Sequence, residues 1–316
     1  MSIVVTGGTG FIGTRLLIQL ASKFPVTCLA LGEPVTPVAG VRYLSCDLTD
    51  FDKLNAALGS PQIVVHLAAL NDVQDSLHRP LAYFEANLRA TVNLLEASRV
   101  RGVKKVLLTS TAALYQTKGS SSLPETTRTA AANPYTASKY CVELWARIYR
   151  VNFGLPVLTF RLFNVYGPGQ LNRAVIPKII YQTMTGNELT LGNVDARRDF
   201  VYVGDVAAVI TKAVERPWPG GHRTSFAVNV GSGHSHSIKE VASTVAELLG
   251  KNTTLQANIG TRPKATENQY LEADVRKASK LFDWRPDHDL KSGLKETVTW
   301  YRDHFEQLEK VFRNHD

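Results

Sequence analysis

Along the first half of the chain, apolar and polar residues come in blocks. Ile3–Thr6 and Val26–Ala30 are short runs of apolar and β-branched residues, as are residues 63–67 and 106–109. Near-continuous apolar character over so few positions predicts parallel strands covered on both faces. Between these runs the period becomes helical. Residues 11–23 place Ile12, Leu16 and Leu20 at i, i+4 and i+8, and residues 81–101 make a longer helical stretch. Residues 134–151 form another, opened by Asn133-Pro134, a good helix start. The β-α-β-α order predicts an α/β protein with a doubly wound parallel sheet.

The rhythm breaks after residue 164. Gly167-Pro168-Gly169, Gly186, Gly192 and Pro217-Trp218-Pro219-Gly220-Gly221 punctuate shorter elements. The expected organisation is a first domain over residues 1–165 and a smaller, irregular C-terminal substrate domain over 166–316. The two would interleave, with strands from about residues 200–232 returning to the first.

Composition narrows the class. Of 316 residues, 44% are apolar and 20% charged, as in ordinary globular proteins. No apolar run approaches the ~20 residues of a bilayer span. The N-terminus enters a strand at once, without the pattern of a secretory leader. Cys28, Cys46 and Cys141 lack C-x-x-C spacing, which argues against a disulfide framework or a zinc knuckle and fits a reducing, cytoplasmic setting. His234 and His236 have no third ligand placed by pattern, so no metal is expected. The formal net charge of +8 favours anionic partners. The basic residues are scattered, which points to phosphorylated small molecules rather than nucleic acid.

Thr6-Gly7-Gly8-Thr9-Gly10-Phe11-Ile12-Gly13 lies between the first strand and the first helix. Glycines there permit a sharp turn and close approach to a pyrophosphate, and the helix N-terminus offers N–H donors. Further on, Tyr135 and Lys139 stand at i and i+4 and share a helix face. A phenol with an unperturbed pKa of about 10 needs positive charge nearby to act as a base at neutral pH. Upstream, residues 106–115 end a strand in hydroxyls, Thr109, Ser110 and Thr111, where ligands bind in open sheets.

The G-x-x-G-x-x-G spacing of Gly7, Gly10 and Gly13 resembles the short-chain dehydrogenase/reductases. Together with the hydroxyl strand and Tyr135-x-x-x-Lys139, nearly the whole chain resembles the NAD-dependent epimerase/dehydratase family, extended members that act on nucleotide sugars. The resemblance implies a Rossmann domain with bound NAD, and Thr111, Tyr135 and Lys139 as the catalytic set. Gly7, Gly10, Phe11, Ile12, Gly13, Asp47, Leu48, Leu67, Ala68, Ala69, Asn87, Thr109 and Phe163 would line the cofactor together with Tyr135 and Lys139. Ser110, Thr111, Asn164, Val175, Arg198 and Arg262 would meet the substrate, of which a UDP-hexose is the expected form. Residues 161–169 (RLFNVYGPG) and 198–205 (RDFVYVGD) carry the match through the second half. The helical stretches 81–101 and 134–151 match those that pair in the family's homodimers.

There are departures. The acid expected after the second strand, for a ribose hydroxyl, is replaced by Ala30-Leu31-Gly32, and no arginine stands there for a 2′-phosphate. Arg262-Pro263 is followed by Lys264-Ala265 where the family often has Gly-Asp. Beside Thr111, where the family's dehydratases carry an Asp-Glu pair, stand Ala112 and Ala113. Alanine cannot move protons, and the small pair resembles 4-epimerases. A 4,6- or 5,6-dehydratase, a 4-keto reductase, and a non-catalytic dinucleotide sensor or RNA-binding protein remain the alternatives.

Overall fold

The apolar runs become a seven-stranded, all-parallel sheet. In the computed structural model, which describes all residues except 35, 118, 120, 172–173, 218–226, 258–268 and 314–316, its strands lie in the order β10-β6-β5-β4-β1-β2-β3. In chain order the strands are β1 (Ile3–Thr6), β2 (Val26–Ala30), β3 (Val41–Ser45), β4 (Ile63–His66), β5 (Lys105–Thr111) and β6 (Val157–Leu162). They continue with β7 (Asn164–Tyr166), β8 (Glu188–Thr190), β9 (Arg197–Tyr202), β10 (Ala227–Val230), β11 (Ser235–Ser237), β12 (Thr254–Gln256) and β13 (Tyr270–Leu271). The helices are α1 (Phe11–Ala21), α2 (Phe51–Leu58), α3 (Val73–His78), α4 (Pro80–Tyr83), α5 (Ala90–Val100) and α6 (Pro134–Phe153) in the first half. In the second half they are α7 (Val175–Thr185), α8 (Val203–Glu215), α9 (Ile238–Leu249), α10 (Arg276–Phe282), α11 (Leu290–Asp303) and α12 (Phe305–Arg313).

Both faces of the sheet are covered because successive side chains point to opposite sides. Val5, Val65, Leu107 and Leu158 pack with α1, α8 and α10. Val4, Val64, Val106, Leu108 and Val157 pack with α2, α5 and α6. Strand β10 comes from the second half yet pairs with β6 at the sheet edge. Strand β9 instead pairs with β7, β11 and β13 in a smaller sheet. A separate core of Ile176, Ile179, Ile180, Val241, Val245, Leu294 and Val298 holds α7, α9 and α11 around it.

Residues 81–101 do not form the single helix that the pattern predicts. A π-helical turn, Phe84–Arg89, separates α4 from α5. The extra residue in that turn directs Asn87 inward. Its carboxamide accepts from Leu70 N at 2.8 Å and donates to Leu70 O and to Ser138 Oγ, both at 2.9 Å. The irregularity therefore ties the loop after β4 to α6. The first helix is also shorter than residues 11–23: it ends at Ala21, with Pro25 just ahead of β2. No helix among the described residues is long and apolar enough to cross a membrane.

Candidate active site

Strand β1 pairs with β2 on one side and β4 on the other, so the strand order reverses there. Open α/β sheets bind ligands in the crevice at such a switch point, beyond the carboxyl ends of the strands. The glycine loop follows β1 into this crevice. Gly7 has φ +69°, and a Cβ on it would lie 2.5 Å from Ala68 N. A Cβ on Gly13 would collide with the Gly7 carbonyl. The two loops thus pack backbone against backbone. Helix α1 begins at Gly10 with no side-chain cap and no acid in its first turn. Its first N–H groups and the positive end of its dipole are left for an anion.

Across the crevice, β5 and α6 assemble the polar groups. Asn133 opens α6 with a capping box to Thr136, which fixes where the helix starts and hence where Tyr135 and Lys139 point. Both side chains are buried. Lys139 Nζ donates to Thr109 O at 3.0 Å. Burial holds the ammonium down to about 8, against an opposing pull from Glu143. Burial likewise raises the Tyr135 phenol above its usual value, while a hydrogen bond with Thr111 lowers it. Thr111 Oγ1 accepts from Ala113 N at 3.2 Å, and so caps the 3₁₀ turn Ala112–Leu114. That leaves the Thr111 proton for the phenol oxygen. Tyr83 packs edge-on against the Tyr135 ring.

Beneath them lies His66, the polar end of an otherwise apolar strand. Thr91 Oγ1 donates to Asn87 O at 2.5 Å, so it accepts from His66 Nε2 at 2.8 Å. His66 Nδ1 then accepts from Thr6 Oγ1 at 2.6 Å. The network assigns the neutral Nε2–H tautomer. Burial, and secondarily the charge on Lys139, hold this imidazole down to about 3.

The profile of the NAD dependent epimerase/dehydratase family matches residues 3–231. The chain belongs to this family. It is 28% identical to a UDP-glucuronate 4-epimerase of Thermodesulfobacterium geofontis, with 98% of each chain covered. It is also 28% identical to a dTDP-D-glucose 4,6-dehydratase of Mus musculus, covering 96% of this chain and 89% of that one. A crystal structure of Thermus thermophilus UDP-glucose 4-epimerase in complex with NAD superposes with a TM-score of 0.86 at 31% identity, covering 96% and 99% of the two chains. The uncapped start of α1 and the Gly7 cradle, which any side chain would fill, suit the dinucleotide that gives the family its name.

Against the family pattern, the structure gathers Gly7, Gly10, Phe11, Ile12 and Gly13 with Leu67, Ala68 and Ala69 in the crevice, and Thr109, Ser110 and Thr111 on the end of β5 beside Tyr135 and Lys139. Ser110 Oγ is buried without a partner. Phe163 follows β6, buried against Tyr115. Asn164 opens β7, Val175 opens α7, and Arg198 lies on β9, donating to Arg197 O. Arg262 lies outside the described residues. Asp47 accepts from Thr49 N at 2.9 Å and Thr49 Oγ1 at 2.8 Å in the turn before α2, which Asp50 caps. Asn93 holds this turn through Leu48 O and Thr49 O. Among the described residues no three His, Cys, Asp or Glu side chains group as metal ligands.

Further buried polar residues hold the site together. His66 and Asn87 brace the loops from below. Asp199, within the R-D-F segment, is fully buried and accepts from Ser232 N, Gly233 N and Ala273 N, so it gathers three chain segments behind Arg198. The available signal was a polar residue at the end of an apolar strand, for His66, and acids within apolar stretches.

The neutral His66 has a thermodynamic consequence. Its folded pKa is depressed from 6.5 to about 3. Between these values the unfolded chain binds more protons, so this contribution to stability is present above pH 6.5 and is lost as pH falls toward 3. Urea unfolding of wild type and His66→Asn should therefore show a stability gap that narrows with acidification, by up to about 1.4 kcal/mol per pH unit. A gap independent of pH from 7 to 5 would contradict the buried neutral imidazole.

Proposed function

We propose that this protein is a nucleotide-sugar 4-epimerase using NAD, with a UDP-hexose as substrate. The observation that carries the reading is the pair beside Thr111: Ala112 and Ala113 form the 3₁₀ turn at the strand end, where a dehydratase needs acids. Glu125 and Glu143, the acids nearby in the fold, are engaged by Asn229 N and by Arg161. The relatives that match over nearly the whole chain include UDP-sugar 4-epimerases and dTDP-glucose dehydratases alike, so the side chains must separate the two.

The Gly7–Gly13 loop, Leu67 to Ala69, Thr109 and Phe163 would hold the dinucleotide, with its pyrophosphate at the start of α1. Asp47 and Leu48 would meet its adenine end. Asn87 would act through the loop it braces. When bound, the oxidised cofactor accepts a hydride, later returns it, and adds positive charge beside the phenol. Tyr135 would take the proton of the sugar C4 hydroxyl and give it back. Thr111 would hydrogen-bond the same oxygen, and Lys139 would keep positive charge close to the phenolate. Asn164, Val175, Arg198 and Arg262 would hold the nucleotide sugar, the arginines through bidentate phosphate contacts.

We also propose a homodimer. Leu144, Trp145, Ile148 and Val151 recur on one face of α6 and are exposed, as are Leu81 and Phe84 ahead of α5. Leu144, Arg147, Ile148, Val151 and Asn152 line a shallow groove there. An exposed apolar face of this kind supports an interface between two copies.

Three measurements test these readings. With UDP-glucose in D₂O, a 4-epimerase gives a product of unchanged mass with no deuterium on carbon; deuterium at C5 or loss of water would replace the reading with a dehydratase. Tyr135→Phe should lower kcat at least ~10²-fold with little change in substrate affinity, and near-full kcat would remove Tyr135 from the chemistry. Light scattering should give a dimer at micromolar concentration and a monomer for Ile148→Glu; a monomeric wild type contradicts the interface.

A further inference from the structure

One turn beyond Lys139 on α6, at i+4, stands Glu143. It is paired with Arg161 of β6 in two parallel bonds, Nε to Oε1 at 3.0 Å and Nη2 to Oε2 at 2.7 Å. The two side chains are only 7% and 8% exposed, and among the described residues no other ion pair has both partners so withdrawn from water. Arg161 cannot turn away. Its Nη1 donates to Tyr115 Oη at 3.0 Å and to Glu125 O at 3.1 Å, and the guanidinium lies over the Tyr115 ring. Tyr115 Oη in turn donates to Asn229 Oδ1 at 2.6 Å on β10.

A buried ion pair is weak evidence for stability, because desolvation offsets much of the attraction. Its place beside the lysine suggests another role. We propose that Glu143 and Arg161 are positioning residues for Lys139: the Glu143 carboxylate keeps the buried ammonium charged, and Arg161 fixes that carboxylate and partly balances its field. The inference rests on the reading of Tyr135 and Lys139 as the catalytic pair.

Other groups around Lys139 do not supply this charge. From β5 it meets the Thr109 carbonyl, a dipole. From β4 the nearby His66 is neutral. On its own helix Tyr135 is protonated until the reaction. Across the π-helical turn, Asn87 bonds to Ser138. Tyr83 packs against Tyr135, with Asp72 and Asp75 beside its hydroxyl. Further along α6, Tyr149 donates to Glu96, which is held by Arg99. Glu143 is the carboxylate that raises the affinity of Lys139 for its proton, against the burial that lowers it.

The two halves of the pair then act with opposite sign. The pH profile of kcat should fall on its alkaline side as Lys139 loses its proton. In Glu143→Gln that limb should move down by about one pH unit, because a negative charge is removed and Arg161 is left unbalanced. In Arg161→Gln it should move up, because Glu143 is no longer offset. Glu143→Asp, which keeps the charge, should restore most of the wild-type limb. A merely structural pair would shift both single variants the same way or leave the limb unmoved, and either result overturns the proposal. Should a single variant fail to fold, as a lone buried charge can cause, Glu143→Asp is compared with the doubly neutral Glu143→Gln/Arg161→Gln protein. A lower limb in the double variant supports the proposal, and equal limbs overturn it. Lys139→Met is the control with UDP-glucose: if it keeps near-full kcat, the catalytic reading has failed, whatever the pair does.

Discussion

A buried ammonium is costly in any fold, and the architecture around Lys139 is a set of answers to that cost. Thr109 turns a strand-end carbonyl toward it. Glu143 stands one helical turn away on the same face, itself clamped by Arg161. His66 beneath is kept neutral by burial, its tautomer fixed by two threonines. Each neighbour is set so that one positive charge survives out of water. That charge matters to the adjoining phenol, since a tyrosine in an apolar pocket otherwise holds its proton more firmly than in water.

The same constraint explains why regular structure is broken where it is. A uniform α-helix over residues 81–101 would not turn Asn87 to both Leu70 and Ser138. The π-helical turn does so, at the expense of a few well-aligned backbone bonds. The capping box at Asn133 fixes the first turn of α6, and the Arg161 pair fixes a later one. Between these two anchors Tyr135 and Lys139 have little freedom. The crevice side is equally tight: Gly7 meets Ala68 with no room for a Cβ, so the phosphate loop and the loop after β4 set each other's position.

The second half of the chain is tied to the first through well-buried contacts. β10 completes the sheet beside β6. Asn229 on it joins Tyr115 and the backbone at Leu123. Asp199 gathers the turn after β10 and the chain at Ala273 around the segment bearing Arg198. The proposed binding residues on one half are thereby held in register with the proposed catalytic residues on the other.

The sequence by itself determined the alternation of strands and helices, the glycine loop, the Tyr135–Lys139 face and the alanines beside Thr111. These are local properties: periodicity, backbone freedom and i, i+4 spacing act within a few residues, so they can be read from one segment alone. Tertiary structure decided the rest. That Asp50 rather than Asp47 caps α2 depends on where the chain turns. That His66 is neutral depends on its burial, its tautomer on Thr6 and Thr91, and that Arg161 joins the helix of Tyr135 and Lys139 depends on Glu143 lying across from β6. Nothing in the spacing of those residues brings them together. Burial and hydrogen bonding fix their charge states, and both come from chain segments that meet only when the sheet and its helices pack.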